Sequence, residues 1–113
     1  MFVVGGKQKL DEDGIKLLQV TYDSWIQAME FVKPGNDYKD IGGIIEDYIT
    51  SYGFNTVRNF CGHGIGSVFH TNPNIYHYKN SEPNGQMAAG HTFTIEPMIC
   101  EGTGKHVGIY SIF

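Results

Sequence analysis

Glycine and histidine crowd into one short stretch of this chain, Cys61-Gly62-His63-Gly64-Ile65-Gly66, with Phe69-His70 close behind. Glycines on either side of His63 remove Cβ atoms from its surroundings and leave the imidazole open to something near the backbone. His63 and His70 stand too far apart to act as ligands from one helical turn, so they can share a cleft only from separate elements. Imidazole is the commonest protein donor to divalent metals. His63 is therefore a candidate ligand, and His70 a candidate for substrate contact or proton transfer. A Gly-rich turn carrying two ordinary surface histidines fits the same residues.

The second candidate is Thr94-Ile95-Glu96-Pro97-Met98. Strand alternation puts Phe93, Ile95 and Pro97 on one face and Thr94, Glu96 and Met98 on the other. A carboxylate within an apolar strand is costly to bury unless it is paired or bound to a cation, which makes Glu96 a candidate ligand. An edge-strand Glu facing water explains it equally well. Together His63 and Glu96 form a partial hard-cation site, too small to be closed. Other residues read as structural. Cys61 has no identifiable base and reads as a buried thiol. His77, between Tyr76 and Tyr78, reads as a strand or loop residue, His91 and His106 as solvent-facing, Asp37 and Asp40 as helix-start residues, and Trp25 as core. Gly62 to Gly66 lacks the Lys-Ser/Thr of a phosphate loop.

The elements that must position these groups follow from periodicity. Asp11 or Asp13 caps a long helix in which Ile15, Leu18, Tyr22, Trp25, Ile26, Met29 and Val32 form a stripe, and Pro34-Gly35 stops it. A second helix, capped by Asn36 or Asp37, turns Ile41, Ile44, Ile45, Tyr48, Ile49 and Tyr52 inward and ends at Gly53 in a left-handed cap. Gly42 and Gly43 weaken it locally, so close packing of that backbone on a sheet is expected. Strands are predicted at 2–4, 55–60 and 92–99, with a long loop and hairpin through Asn72, Pro73, Asn74, Pro83, Asn84 and Gly85. The order predicts a mixed α/β fold of the α+β kind, two long helices packed on an antiparallel sheet.

Composition narrows the function. The 113 residues make one domain, and 8 basic against 12 acidic side chains give a net charge of −4. With no Lys/Arg cluster, a nucleic-acid partner is excluded. No apolar run is long enough for a membrane helix, and nothing resembles a signal peptide. Cys61 and Cys100 do not make a disulfide framework, so a cytoplasmic setting is expected.

The motifs together resemble one family. Asn59-Phe60-Cys61-Gly62-His63-Gly64-Ile65-Gly66, Phe69-His70-Thr71, Pro73-Asn74, His77-Tyr78 and the stretch from Gly90-His91 through Thr94-Ile95-Glu96-Pro97-Met98-Ile99 are similar to type I methionine aminopeptidases, of the M24 metallopeptidase family. Phe31 to Gly35, Ile41-Gly42 and Tyr52-Gly53-Phe54 extend the likeness upstream. It covers residues 1–102 and leaves 103–113 as a divergent tail. The resemblance implies part of a pita-bread fold around two divalent ions, whether Co, Mn, Fe, Zn or Ni, and removal of the initiator Met from nascent chains. In that family two Asp, one His and two Glu hold the metals. By resemblance His63 matches the His ligand and Glu96 the first Glu ligand, which also has a catalytic part. His70 matches the histidine that contacts the substrate peptide bond, and Phe69 an aromatic neighbour lining the Met pocket. Both Asp ligands belong to family segments before the equivalent of Met1, and the last Glu to one beyond the equivalent of Phe113. The expectation is therefore of a domain inactive by itself, with a catalytically dead binding or scaffold module as the alternative. Peptides with N-terminal Met, the ribosome, and self-association through exposed strands are the partners implied; a membrane is not among them.

Overall fold

The structure is a computed structural model that describes residues 2–104. His106, with the rest of 105–113, lies outside the described residues. Helix α1 runs from Glu12 to Phe31, and Asp11 caps it by accepting the Gly14 N–H at 2.8 Å. Glu12 and Asp13 add negative charge at the positive end of its dipole. Helix α2 runs from Lys39 to Ser51. Its N-cap is Tyr38, with no capping side-chain bond, rather than Asn36 or Asp37. Gly53 takes the expected left-handed conformation, φ +83°, behind it. No helix among the described residues is long and apolar enough to cross a membrane.

The helices pack on each other through a face of α1 that the periodicity did not select. Val20, Ser24 and Ala28 are buried, with Leu17 and Phe31 alongside, whereas Ile15, Tyr22 and Met29 are exposed. The buried positions at 24 and 28 carry small side chains, and larger apolar residues at 15, 22 and 29 lie on the outer surface. On α2 the expected inward row holds at its centre, where Ile41, Ile45 and Ile49 are fully buried, and fails at its end, where Tyr52 is exposed. Phe54, Ile75, Met87 and Tyr38 complete the core.

The strands are shorter than predicted. β1 (Asn55–Thr56) pairs antiparallel with β4 (Ile99–Cys100), and β2 (Gly62–Gly64) pairs antiparallel with β3 (Thr71–Ile75). Residues 2–4 form no strand, so the exposed edge expected there is not present. Thr92 to Met98, expected in a strand, forms none and meets Gly64 through an isolated bridge at Phe93. Asn72 and Asn74, expected in a loop, belong to β3.

Helix α2 carries the loops of the site. Its Glu46 accepts Arg58 Nη2 at 2.7 Å and the Lys79 N–H at 2.8 Å, tying the segments after β1 and β3 to one carboxylate. Gly42 lies against the carbonyl oxygens of Tyr76 and Tyr78; a Cβ there would stand 2.6 Å from the former and closer still to the latter. Gly43 would meet only Lys79 Cγ at 3.8 Å. Only the first of the two glycines is thus compelled by packing. Gly42→Ala is expected to destabilise by roughly 2–3 kcal/mol, while Gly43→Ala stabilises by up to about 1 kcal/mol through helix propensity. Urea midpoints of the two variants decide this, and equal costs would refute it.

Candidate active site

His63 sits in the middle of β2, buried, and its position depends on backbone rather than side-chain packing. The ladder with β3 opposes it to Asn74. On its other side the Thr94 N–H donates to the His63 carbonyl at 2.8 Å, and the His63 N–H donates to Thr94 Oγ1 at 3.0 Å. Gly62 and Gly64 make this sandwich possible. A Cβ at Gly62 would collide with the Thr94 carbonyl oxygen, and one at Gly64 with that of Asn72. The glycines serve close approach of neighbouring backbone, which explains the alternation differently from simple exposure of the imidazole.

The His63 ring is oriented by its Nδ1, 3.0 Å from the Gly64 carbonyl oxygen. A carbonyl only accepts, so Nδ1 carries a proton, and in the neutral imidazole Nε2 is the nitrogen free to bind a metal. Nε2 faces Glu96 Oε1 at 3.4 Å. Thr94 Oγ1 donates to the same oxygen at 2.7 Å, so one hydroxyl holds the histidine backbone and the carboxylate together. Alternation along 93–98 places Thr94 and Glu96 on one side and Phe93 and Ile95 against the core, as the pattern predicted.

His70 and Phe69 approach from the turn between β2 and β3. Their rings lie 4.2 Å and 5.7 Å from that of His63, centroid to centroid, and 4.5 Å from each other. Both are exposed. Phe60, Cys61, His63, His70, Thr71, Asn72, Asn74 and Glu96 line an open cleft of about 520 Å³. The sequence candidates His63, His70 and Glu96 are thus gathered in one place, and Phe69 stands at its rim. Cys61 is half-buried and lines the cleft rather than lying in the core. His91 is exposed as expected, yet its Nδ1 lies 2.7 Å from the Tyr38 hydroxyl.

Three supporting residues escaped the sequence reading. Thr94 was legible in principle, since it shares a face with Glu96. Trp25 is half-buried and donates its indole N–H to the Ile95 carbonyl at 3.1 Å. His77 is fully buried and accepts the Glu96 N–H on Nε2 at 3.1 Å, and nothing in its Tyr-flanked setting signalled that. Burial drives its pKa down from 6.5 to about 4, with the Glu96 charge opposing the shift.

Residues 1–112 match the profile of metallopeptidase family M24. The chain belongs to this family. It is 47% identical over 94 residues to methionine aminopeptidase 1 of Dictyostelium discoideum, covering 83% of this chain and 26% of that protein. It is 41% identical over 102 residues to the methionine aminopeptidase of Escherichia coli K12, covering 90% and 38% respectively. The crystal structure of methionine aminopeptidase from Rickettsia prowazekii matches with a TM-score of 0.81 at 37% identity, over 87% of this chain and 40% of that one. The fold is accordingly the pita-bread type, present in part, and the chain spans well under half the length of each of these M24 relatives.

An M24 metallopeptidase implies divalent metal, and His63 with Glu96 fits one. Nε2 of a neutral imidazole and a carboxylate oxygen, aimed at one space, are both donors of the kind that hold a divalent ion. At metal–ligand bonds of about 2.0–2.2 Å, two tetrahedral ligands lie about 3.4 Å apart, matching the 3.4 Å found here. Among the described residues no cluster of three or more His, Cys, Asp or Glu completes such a site.

The depressed His77 pKa has a consequence for stability. Between pH 6.5 and about 4 the unfolded chain binds a proton at His77 that the folded chain does not. Its contribution is therefore full above pH 6.5 and is lost on acidification, at up to about 1.4 kcal/mol per pH unit. Urea midpoints at pH 7 and pH 5 should differ in that direction, and His77→Gln should flatten the difference; an unchanged slope in that variant would contradict the assignment.

Proposed function

We propose that this chain is the part of a methionyl aminopeptidase that supplies the histidine ligand, one glutamate ligand and the substrate-contacting histidine. The observation that carries the reading is the 3.4 Å opposition of His63 Nε2 and Glu96 Oε1, with the His70 ring tilted against that of His63 at the cleft, in a member of a metallopeptidase family. The substrate is a peptide or nascent chain with an N-terminal Met, and the reaction is hydrolysis of its first peptide bond. Divalent metal held by His63 and Glu96 supplies an activated water and a polarising charge.

The residues of the chain divide the remaining work. Glu96 accepts the Thr94 hydroxyl at one oxygen, which holds its carboxylate toward His63, where the two would share an ion. His70 lies within reach of the same space and donates a hydrogen bond to the scissile carbonyl oxygen as negative charge builds there. Phe69, 68% exposed, offers an apolar ring to the Met side chain. Two protein donors hold a single ion weakly, so the 113 residues alone are inactive and bind at most one ion. The complete enzyme works in the cytoplasm, where nascent chains emerge.

Two measurements test this. Purified chain with Co(II) should show weak binding of no more than one ion and release no free Met from a Met-Ala-Ser peptide; two tightly held ions or turnover would contradict it. In the complete enzyme, His63→Ala should lower metal affinity by at least about a hundredfold and abolish Met release. Retained activity would remove His63 from the site.

A further inference from the structure

His77 is fully buried, and its Nδ1 has no hydrogen-bond partner among the described residues. An orphaned buried N–H is costly, and a leucine or phenylalanine in the same space would avoid it. The imidazole must supply something an apolar side chain cannot. Its Nε2 accepts the Glu96 N–H, which leaves the ring proton on the orphaned Nδ1.

The need arises from how the ligand segment is held. Its other anchors are conventional. Thr92 and Met98 carbonyls accept the N–H groups of Ile65 and Val57, and the Thr94 N–H goes to the His63 carbonyl. At Glu96 no ladder strand supplies a carbonyl, and a side chain from the neighbouring segment takes its place. That side chain is itself fixed. The His77 carbonyl accepts Thr56 Oγ1 at 3.0 Å, and the carbonyls of Tyr76 and Tyr78 rest on Gly42 of α2.

We propose that His77 is a positioning residue for Glu96, its Nε2 replacing a missing strand partner so that the carboxylate is held opposite His63. The consequence for metal rests on the reading of His63 and Glu96 as ligands; the anchoring itself does not.

The test compares His77→Gln, whose side-chain amide oxygen reaches the position of Nε2, with His77→Leu, which has no acceptor. Amide hydrogen exchange is measured by NMR on the metal-free full chain, with Thr94 as the internal reference for global opening, and Co(II) affinity is read from visible absorption. In His77→Leu the Glu96 amide should exchange at least about tenfold faster relative to Thr94, with Co(II) affinity down about 10–100-fold. In His77→Gln both should stay within about threefold of the parent. Unchanged Glu96 protection in His77→Leu overturns the proposal, as does a freed amide with undiminished Co(II) affinity. Should His77→Leu fail to fold, His77→Gln decides alone: retained protection and affinity support the assignment, and loss of either overturns it. A parent chain that takes up no Co(II) sinks the metal reading, while the exchange result still decides the anchoring.

Discussion

The structure turns on the 3.4 Å between His63 Nε2 and Glu96 Oε1. His63 and Glu96 are held there by bonds made elsewhere. The Gly64 carbonyl sets the ring, Thr94 clasps the backbone of one residue and the carboxylate of the other, and His77 fixes the second backbone. Such bonds orient the two groups before any ion arrives, the usual logic of a preorganised metal site. Most of what surrounds the cleft serves that one opposition.

The constraint runs outward to the helices. α2 has a glycine at 42 because two carbonyls of the 76–78 segment press on it, and that contact seats His77 beneath Glu96. Glu46 of the same helix gathers Arg58 and the Lys79 N–H. α1 contributes one direct bond, from Trp25 to the Ile95 carbonyl, on the flank of the ligand segment. A rigid element is thus placed behind each side of the pair, which is how a short, weakly laddered stretch acquires a defined geometry.

The helices themselves were legible, but the packing face of α1 was not. Large apolar residues at 15, 22 and 29 suggest a core stripe, yet the buried positions include Ser24 and Ala28, and the larger residues lie outside. Amphipathicity counts hydrophobic area, whereas helix packing also selects for small size. Composition predicts a strand over 92–99. Its alternation is real, but its ladder is confined to Ile99–Cys100, since side chains of Thr94, His77 and Trp25 replace the hydrogen bonds a neighbour strand would give.

Local chemistry was therefore determined by the sequence itself: the Gly-flanked His63, the alternating Thr94 and Glu96, the cap at Asp11, the left-handed Gly53 and the two helices all depend on residue type and short spacing. The tertiary structure decided what those residues face. That His63 and Glu96 meet at all, that Thr94 joins them, and that a buried His77 carries the Glu96 amide are outcomes of antiparallel return and close backbone contact. Distances between residues far apart in the chain follow from how elements pack, and packing is a property of shapes in three dimensions that no local period encodes.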